Sequence, residues 1–405
     1  MLDNGKAEGV RKIKRFEKYC LKDIATVSQG FTFSRLYQGK KNLKWNYFKV
    51  ADIGINPNSK YLTNAINTIS DITMEEIGAL PFPKGSIVFP RVGAALFNNN
   101  KKILAQDGVV DDNVLVLTVT DTSKCWHEFL YYYLQGIPLA KWCNSGLVPV
   151  INTKTVLSQM VFLPPLPEQQ KIATILSTQD KVIELKEKLF AQKQQQKKYL
   201  MQQLLTGKKR LPGFCEKWTR KQLGELFENR VEINRSDLGL LAITSTRGIL
   251  PRDCLDLKDN SSEDKSKYLR ICPGDIGYNT MRMWQGVSAY SEYEGIVSPA
   301  YTILAPMEGV YSRYFAYLFK TQSVIFSFYR FSQGLVDDTR NLKYENFKKI
   351  SVSIPSKVAE QRAIVQILST ADHEIDLLQK SIEAEKQKKK ALMQLLLTGK
   401  VSVQI

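Results

Sequence analysis

Residues Glu168–Lys208 read EQQKIATILSTQDKVIELKEKLFAQKQQQKKYLMQQLLTGK, and residues Glu360–Lys400 read EQRAIVQILSTADHEIDLLQKSIEAEKQKKKALMQLLLTGK. The two stretches align without a gap at a shift of 192 residues, and 22 of their 41 positions are identical. A repeat of this length is typical of two large units rather than of a solenoid of short ones. The sequence therefore predicts an internal duplication, in which each copy of the stretch closes one half of the chain.

Both copies carry apolar residues at alternating steps of four and three, which is the period of a coiled-coil seam. The seam residues are Ile172, Leu176, Ile183, Phe190, Leu200, Leu204, Ile364, Leu368, Ile375, Leu378, Ile382, Leu392 and Leu396. Prolines before the first copy, and Gly207 and Gly399 at the ends of the copies, are helix start and stop signals. Each copy is therefore predicted to form a helix, about 58 Å long if it is continuous from 168 to 206.

A long amphipathic helix must bury its apolar stripe, and its own duplicate is a suitable partner. We therefore predict that the two helices pair antiparallel within the chain as a coiled coil. The alternative is that each helix packs only on its own domain. Lysines near the C-terminal ends, among them Lys193, Lys197 and Lys389, either contact DNA phosphates or form a solvated face.

The segments from about 16 to 163 and from about 216 to 355 combine short apolar runs, glycine turns and aromatic helices, which predicts a mixed α and β domain in each half. Corresponding features are Glu17-Lys18-Tyr19 with Glu216-Lys217-Trp218, Gly85 with Gly274, Trp126–Leu134 with Tyr311–Phe319, and Gly146-Leu147-Val148 with Gly334-Leu335-Val336. Similar helices and dissimilar domains are expected if each domain reads a different DNA sequence on a common scaffold. Drift of ordinary surface is the neutral alternative.

The composition bounds the class of protein. With 405 residues, 43% hydrophobic and 24% charged, the chain is typical of folded, soluble, multidomain proteins. No apolar run approaches the ~20 residues that span a bilayer, and the polar start lacks a signal peptide, so we expect no membrane partner and a cytoplasmic location. The six cysteines form no Cys-x-x-Cys pair, which favours neither a zinc site nor a disulfide framework.

The charge balance indicates the kind of partner. Lys and Arg total 57 against 40 Asp and Glu, which gives a net charge of +17. A positive excess of this size favours a polyanionic partner, since release of counterions drives association with nucleic acid. An anionic membrane surface or a general basic bias are the alternatives.

Several motifs occur in a fixed order along the chain. Leu163–Ile172 reads LPPLPEQQKI before the first helix, and Leu211-Pro212-Gly213-Phe214 follows it. Asn279–Gly286 reads NTMRMWQG, and Gly295–Tyr301 reads GIVSPAY. In order and spacing these motifs resemble the specificity (S) subunits of Type I restriction-modification enzymes over nearly the whole chain. One departure is Phe33, which stands where the family often has proline.

This resemblance implies an α+β architecture with four parts. Two globular target-recognition domains of mixed α/β structure, residues 1–163 and 209–355, alternate with two spacer helices, residues 164–208 and 356–405. The helices are expected to form an antiparallel intramolecular coiled coil with pseudo-twofold symmetry. The function implied is sequence-specific recognition of a bipartite, gapped DNA target, which directs adenine methylation and restriction by partner subunits.

The partners implied by the resemblance carry the chemistry. They are double-stranded DNA, two methyltransferase (M) subunits and restriction/translocase (R) subunits. We expect no cofactor in this chain, because S-adenosylmethionine, ATP and Mg²⁺ would belong to the partner subunits. In this interpretation the chain is a non-catalytic subunit of a multisubunit enzyme.

The residues themselves indicate no catalytic or metal site. The chain contains neither a Gly-x-Gly-x-x-Gly turn, nor a phosphate-binding P-loop, nor an Asn-Pro-Pro-aromatic segment. Its two histidines, His127 and His373, are interpreted as packing or solvent-facing side chains. The pairs Asp111-Asp112 and Asp337-Asp338 are interpreted as turn residues rather than metal ligands.

Candidate DNA contacts are polar and basic residues at glycine-rich turns. They are Gln29, Ser34, Arg35, Arg91, Asn152, Lys154, Asn234, Arg235, Thr244, Ser245, Thr246, Arg247, Arg282, Trp284, Gln285 and Arg340. Arginine can bind guanine bidentately, and Gln or Asn can pair with adenine. Each residue could instead be an ordinary surface or turn side chain, and Arg282 could pack on Trp284 by a cation–π contact.

Two other classes of function stay open. A coiled-coil DNA-binding adaptor without sequence preference would bind any duplex equally well at ~0.15 M salt. A self-contained DNA methyltransferase or nuclease with an unrecognised site would turn over alone when given its cofactor. The duplication with unlike domains favours the recognition subunit over both.

Overall fold

The computed structural model describes residues 16–55, 59–144, 146, 148–244, 248–254 and 264–403. The chain forms two compact units. The first unit contains the described residues up to Leu189 together with those from Gln379 onward, and the second is Phe190–Leu378. Each unit therefore contains one globular domain and one half of each repeated helix.

The first globular domain mixes strands with short helices. Its strands are β1 (Glu17–Cys20), β2 (Ala25–Gln29), β3 (Trp45–Phe48), β4 (Tyr61–Leu62), β5 (Asn67–Ile69), β6 (Ile87–Pro90), β7 (Lys102–Leu104), β8 (Val109–Val110), β9 (Val114–Val119) and β10 (Met160–Leu163). Its α-helices are α1 (Val50–Ile55), α2 (Asp71–Glu76), α3 (His127–Gln135) and α4 (Thr153–Leu157). The first repeated helix, α5 (Leu166–Leu204), follows directly.

The second globular domain has the same mixture. Its strands are β11 (Thr219–Gln222), β12 (Phe227–Asn229), β13 (Leu241–Thr244), β14 (Gly248–Pro251), β15 (Leu269–Ile271), β16 (Ile276–Asn279), β17 (Ser288–Tyr290), β18 (Gly295–Val297), β19 (Tyr301–Pro306) and β20 (Ser351–Ile354). Its α-helices are α6 (Ser312–Leu318), α7 (Gln322–Phe331) and α8 (Tyr344–Phe347). The second repeated helix, α9 (Val358–Leu396), completes this part of the chain.

A five-stranded sheet in the order β2-β9-β6-β7-β4 forms the centre of the first domain. Its neighbours are antiparallel except β4, which runs parallel to β7. The interior strand β9 begins VLVL, and all four side chains are buried because the sheet is covered on both faces. A smaller sheet, β5-β3-β8, lies beside it, and β1 pairs antiparallel with β10.

The second domain has a four-stranded sheet in the order β12-β19-β16-β17. The strand pairs β13-β14, β15-β18 and β11-β20 complete it. Strand β19 is the counterpart of β9, and its residues Thr302–Ala305 are buried. Aromatic rings of α6 and α7 fill the core below the sheet, where Phe319 contacts Phe315 and Phe328 edge-on or tilted.

In the first unit, the N-terminal half of α5 lies antiparallel to the C-terminal half of α9. Gln179 Nε2 donates to Glu385 Oε2 at 2.7 Å, and Lys389 pairs with Asp180 at 2.5 Å. Leu176 belongs to the same buried apolar cluster as the C-terminal leucines of α9. The helix pair is therefore continuous with the core of the domain.

In the second unit, the C-terminal half of α5 lies antiparallel to the N-terminal half of α9. Lys193 pairs with Glu374 at 2.6 Å, and Lys197 pairs with Asp372. Polar residues that interrupt the seam thus find partners on the opposite helix, which fixes the register. The ion pairs of Lys193, Lys197 and Lys389 favour a structural role for these lysines over contact with phosphate.

The fold class predicted from the sequence is confirmed: two mixed α/β domains alternate with two long helices that pair antiparallel. The seam residues are buried or half-buried throughout. Each domain starts with a strand that pairs with its last strand, Glu17 lying opposite Leu163 and Thr219 opposite Ile354.

One predicted correspondence between the domains is shifted. Trp218 lies against Gly207, and Phe16 lies against Gly399, the equivalent glycine of the other helix. The counterpart of Trp218 is therefore Phe16 and not Tyr19, which is within β1. The alignment by charged neighbours was wrong because exposed lysines and glutamates recur by chance, whereas the ring that packs on the helix end is constrained.

Candidate nucleic-acid interface

Three predicted residues of the second domain occupy one turn, Thr280–Gly286, directly after β16. Trp284 Nε1 donates to the carbonyl of Met281 at 2.9 Å, and Gly286 ends the turn with a left-handed backbone. The side chains of Arg282 and Gln285 are exposed. Within the described part of the chain Arg282 has no acidic partner, so its guanidinium is available to an external ligand.

A second loop, Gln333–Asn341, presents Arg340. Its ends are joined by two backbone hydrogen bonds of 2.8 Å between Gln333 and Asn341. The Arg340 guanidinium donates to Asp337 at 2.8 Å and to the Tyr329 hydroxyl at 2.9 Å, and it lies 4.1 Å above the Tyr329 ring. This loop is therefore held rigidly against helix α7.

The turn and the loop are adjacent. Leu342 N donates to Thr280 O at 2.8 Å, and the rings of Trp284 and Tyr329 are 6.2 Å apart. The structure thus brings Arg282, Trp284, Gln285 and Arg340 together, although Arg340 lies more than fifty positions after the other three in the sequence. The cation–π contact found here joins Arg340 to Tyr329, and no such contact between Arg282 and Trp284 occurs in the described structure.

The first domain has an equivalent pair of segments. Arg91 follows β6, the counterpart of β16, and its carbonyl accepts from Ile151 N at 2.9 Å. Gly93 N donates to Pro149 O at 3.0 Å, so the loop that ends at Asn152 lies on the Arg91 turn. Asn152 precedes helix α4, and the side chains of Asn152 and Lys154 are exposed. Arg91, Asn152 and Lys154 therefore belong to one region.

The turn after β2 joins this region. Arg91 Nη1 donates to Asp112 O at 3.3 Å, and Thr32 Oγ1 donates to Asp112 Oδ2 at 3.1 Å. Asp111 accepts from Asn113 N at 3.0 Å, as expected of a turn residue. Gln29 and Arg35 are exposed on either side of this turn, and Ser34 Oγ accepts from Leu36 N.

The remaining candidates are less accessible or fall elsewhere. Arg235 binds Asp237 with two hydrogen bonds of 2.9 and 2.8 Å, and this raises the pKa of the guanidinium. Asn234 has a left-handed backbone, and Thr244 Oγ1 donates to Gly248 O at 2.8 Å. Ser245, Thr246 and Arg247 lie outside the described residues.

A cluster of side chains that the sequence did not predict fixes each domain to the helices. Tyr132 donates to Asp180 at 2.6 Å, and Lys389 pairs with the same carboxylate. In the second unit, Tyr317 donates to Asp372 at 2.7 Å, and Lys197 pairs with it. Burial, reinforced by the carboxylate, raises the pKa of both phenols. The identical Asp and Lys at a shift of 192 residues were the signal that could have found this cluster.

The described residues were compared with two further kinds of feature, a metal-binding cluster and a membrane-spanning helix. They contain no group of three or more His, Cys, Asp or Glu side chains placed to hold a metal ion. Their helices are all too short or too polar to cross a bilayer. Burial lowers the pKa of His127, as expected of a packed imidazole.

The fold and the turn geometry define a duplicated scaffold that presents different polar turns on a common frame. The family model for the Type I restriction modification DNA specificity domain matches residues 13–195 and 264–386. The chain belongs to this family, and the resemblance noted in the sequence is confirmed.

Solved structures agree with this fold. The chain is similar to the S subunit of a Type I restriction-modification system from M. genitalium, with 15% identity, a TM-score of 0.59, and 96% and 98% of the two chains covered. It is also similar to a chain from a study of complex assembly and conformational transition of the type I R-M system, with 13% identity, a TM-score of 0.56, and coverage of 95% and 98%. At these identities the likeness establishes the fold.

Proposed function

We propose that this chain is the DNA-recognition subunit of a Type I restriction-modification complex. The observation that carries the proposal is the contrast within the duplication: both units fix their domain to the helices with the same Tyr-Asp-Lys cluster, yet their turns carry different side chains. A duplicated frame with unlike turns suits two unlike DNA half-sites. Membership of the specificity-domain family supports this conclusion.

The accessible turn residues would make the base contacts. In the second domain, Arg282 can bind guanine O6 and N7 with two hydrogen bonds, and Gln285 can pair with adenine. In the first domain, Asn152 can pair with adenine, and the exposed Lys154 can bind a phosphate that positions the domain. Each domain would then read one short half-site, with an unread gap between the two.

In this function the chain itself performs no chemistry. Two methyltransferase subunits would supply S-adenosylmethionine and the catalytic residues for adenine N6 methylation. Restriction subunits would supply ATP hydrolysis with Mg²⁺. The role of the chain is to place these partners on a chosen sequence in the cytoplasm.

The test is to map N6-methyladenine across the genome of cells that express this chain with its methyltransferase subunit, and of cells that express the methyltransferase alone. A gapped, two-part methylated motif that requires the chain is the expected result. Unchanged methylation despite a stable complex, together with equal binding to any duplex at ~0.15 M salt, would instead identify a non-specific adaptor.

The variant Arg282→Ala sharpens this test. Because Arg282 belongs to one domain, its loss should change one half of the methylated motif and leave the other half intact. A good bidentate contact discriminates by about 1–3 kcal/mol, so tolerance of other bases at one position is expected. A change in both halves would contradict independent reading by two domains.

A further inference from the structure

The loop Gln333–Asn341 carries two apolar side chains at its tip. Leu335 is 99% exposed and Val336 is 58% exposed. A fully exposed leucine gains nothing from folding, and isolated apolar side chains on a surface are common. What distinguishes this tip is that the surrounding backbone holds it in one conformation.

Several contacts preorganise the tip. The two backbone hydrogen bonds between Gln333 and Asn341 close the loop, and Thr339 N donates to Val336 O at 3.0 Å. Gly334 has a φ of 131°, and a Cβ there would lie 2.6 Å from the carbonyl oxygen of Thr339, so only glycine fits. The chain therefore fixes an apolar pair in water, which costs entropy without stabilising the fold.

The neighbours of the tip favour nucleic acid as its occupant. The loop is hydrogen-bonded to the turn that presents Arg282, through Leu342 N and Thr280 O at 2.8 Å. Asp337 is neutralised by Arg340 at 2.8 Å. With a chain charge of +17, an apolar tip beside a free arginine is complementary to the major groove, where phosphates flank the base edges.

The first domain also carries an exposed apolar residue in the corresponding loop. Gly146 and Val148 correspond to Gly334 and Val336, and Val148 is also 58% exposed. The loop lies on the Arg91 turn through the backbone bridge between Val92 and Val150. Strands β6 and β16 are equivalent, and each is followed by a turn. Both domains thus have an exposed apolar residue beside that turn.

We propose that Leu335 and Val336 contact the 5-methyl group of a thymine in one half-site, and that Val148 does so in the other. The inference rests on the proposed function and adds specificity-determining residues to it. The thymine methyl is the apolar group that base edges present in the major groove. Polar residues of the adjacent turn would read the neighbouring base pairs.

The experiment uses the chain assembled with its methyltransferase subunits and duplexes of the mapped target. Each half-site thymine is replaced in turn by deoxyuridine, which lacks only the methyl group. We expect one replacement in the half-site of the second domain to weaken binding about four-fold, the effect of burying one such carbon. Leu335→Ala or Val336→Ala should bind the thymine and deoxyuridine duplexes equally at that position.

The matched control is Leu377→Ala, which truncates a leucine that is 51% exposed on α9 of the same unit. It should keep the full preference for thymine. In the other half-site, the preference for thymine over deoxyuridine should be lost in Val148→Ala and retained in the Leu335 variant. The retained preference shows, in the same assay, that the Leu335 variant is folded.

Three results would overturn the inference. The wild-type complex could tolerate every deoxyuridine, or both tip variants could retain the preference for thymine. The tip variants could also weaken assembly with the methyltransferase while base preference stays unchanged, which would make the tip a protein contact. Failure of the proposed function looks different, since the wild-type complex would then have no gapped target.

Discussion

The two units share a frame built from identical residues, but they differ in how that frame is completed. Asp180 and Asp372 are equivalent, and each accepts a tyrosine hydroxyl and a lysine. At other equivalent positions the side-chain contacts differ between the two units. Glu360 is held by a two-fold hydrogen bond from Arg210, whereas the described structure gives Glu168 no such ion pair. After duplication, the positions where domain, α5 and α9 meet were retained, and their surroundings changed.

Buried lysines show the same divergence at one junction. In the first unit, Lys101 donates to the carbonyl of Ile137, beyond the end of α3, at 2.9 Å. In the second unit, Lys320, beyond the end of α6, donates to the carbonyls of Gly286 and Ser288 at 2.8 and 2.6 Å. A lysine thus bridges the aromatic helix and the sheet in both units. It comes from the sheet side in the first unit and from the helix side in the second. The junction between the helix and the sheet requires a hydrogen-bond donor, and either element can provide it.

Truncation of the shared core should have the largest effect. Leu176 and Leu368 are equivalent, and both are fully buried. Leu176→Ala should destabilise the first unit, and Leu368→Ala the second, by about 2–5 kcal/mol each. Hydrogen exchange followed by peptide mapping can assign the loss to one unit. If either variant loosened both units to the same extent, the frame would be one cooperative structure and the comparison of separate units would fail.

The bridging lysines should make stability depend on pH. Burial lowers the pKa of Lys101 to about 7 and that of Lys320 to about 8. Between the folded pKa and the unfolded value near 10.5, the unfolded chain binds more protons, so stability rises with pH. Below the folded pKa both states are charged, and the full cost of burial is present.

Between its folded and unfolded pKa values, each lysine can raise the free energy of unfolding by up to about 1.4 kcal/mol per pH unit. Lys101→Met should reduce the increase in stability of the first unit between pH 7 and 10. Lys320→Met should reduce the increase in stability of the second unit between pH 8 and 10. Unfolding by denaturant at several pH values measures the slope. A slope unaffected by either substitution would show that water reaches these amines in the folded state.

Removal of the tyrosine hydroxyls should reduce stability by less than the changes above, and by the same amount in both units. Tyr132→Phe and Tyr317→Phe each remove one hydrogen bond to a carboxylate while the ring stays packed. A loss of about 1.5 kcal/mol is expected for each, since the lysine still pairs with the aspartate. Comparing Tyr132→Phe with Asp180→Asn and the double variant isolates the hydrogen bond. Unequal losses in the two units would mean that the clusters are not interchangeable.

The sequence predicted the part of the fold that is periodic. The seam residues follow a fixed step, so Leu176 and Leu368 could be placed on helices that pair antiparallel. The strand order could not be predicted, because it depends on pairings such as Glu17 with Leu163 across the whole domain. Among site residues, the turn of Arg282 follows from its glycine and its position after a strand. The pairing of Arg235 with Asp237, and the rigid exposure of Leu335, depend on side-chain and loop geometry that the sequence does not encode locally.

Charged seam residues favour pairing of α5 with α9 over pairing of either helix with a second copy of itself. Lys193 and Glu385 occupy equivalent positions with opposite charge; Lys193 pairs with Glu374, and Glu385 pairs with Lys186. An antiparallel pair of two α5 helices in the same register would place Lys186 near Lys193. Two α9 helices would place Glu374 near Glu385. Like charges at these sites disfavour both alternatives.

The smallest predicted effect tests this selectivity. Lys193→Met removes a pair in which the lysine is about one-third exposed, so the cost should be below about 1 kcal/mol and should vanish at high salt. Exchange of the charges, Lys193→Glu with Glu374→Lys, should restore the wild-type salt dependence. The single change Lys193→Glu should weaken the helix pair further than Lys193→Met, because it opposes two carboxylates. If Lys193→Glu instead matched Lys193→Met at low salt, apolar packing alone would select the partner helix, and the charge reversal between the two copies would be a neutral difference.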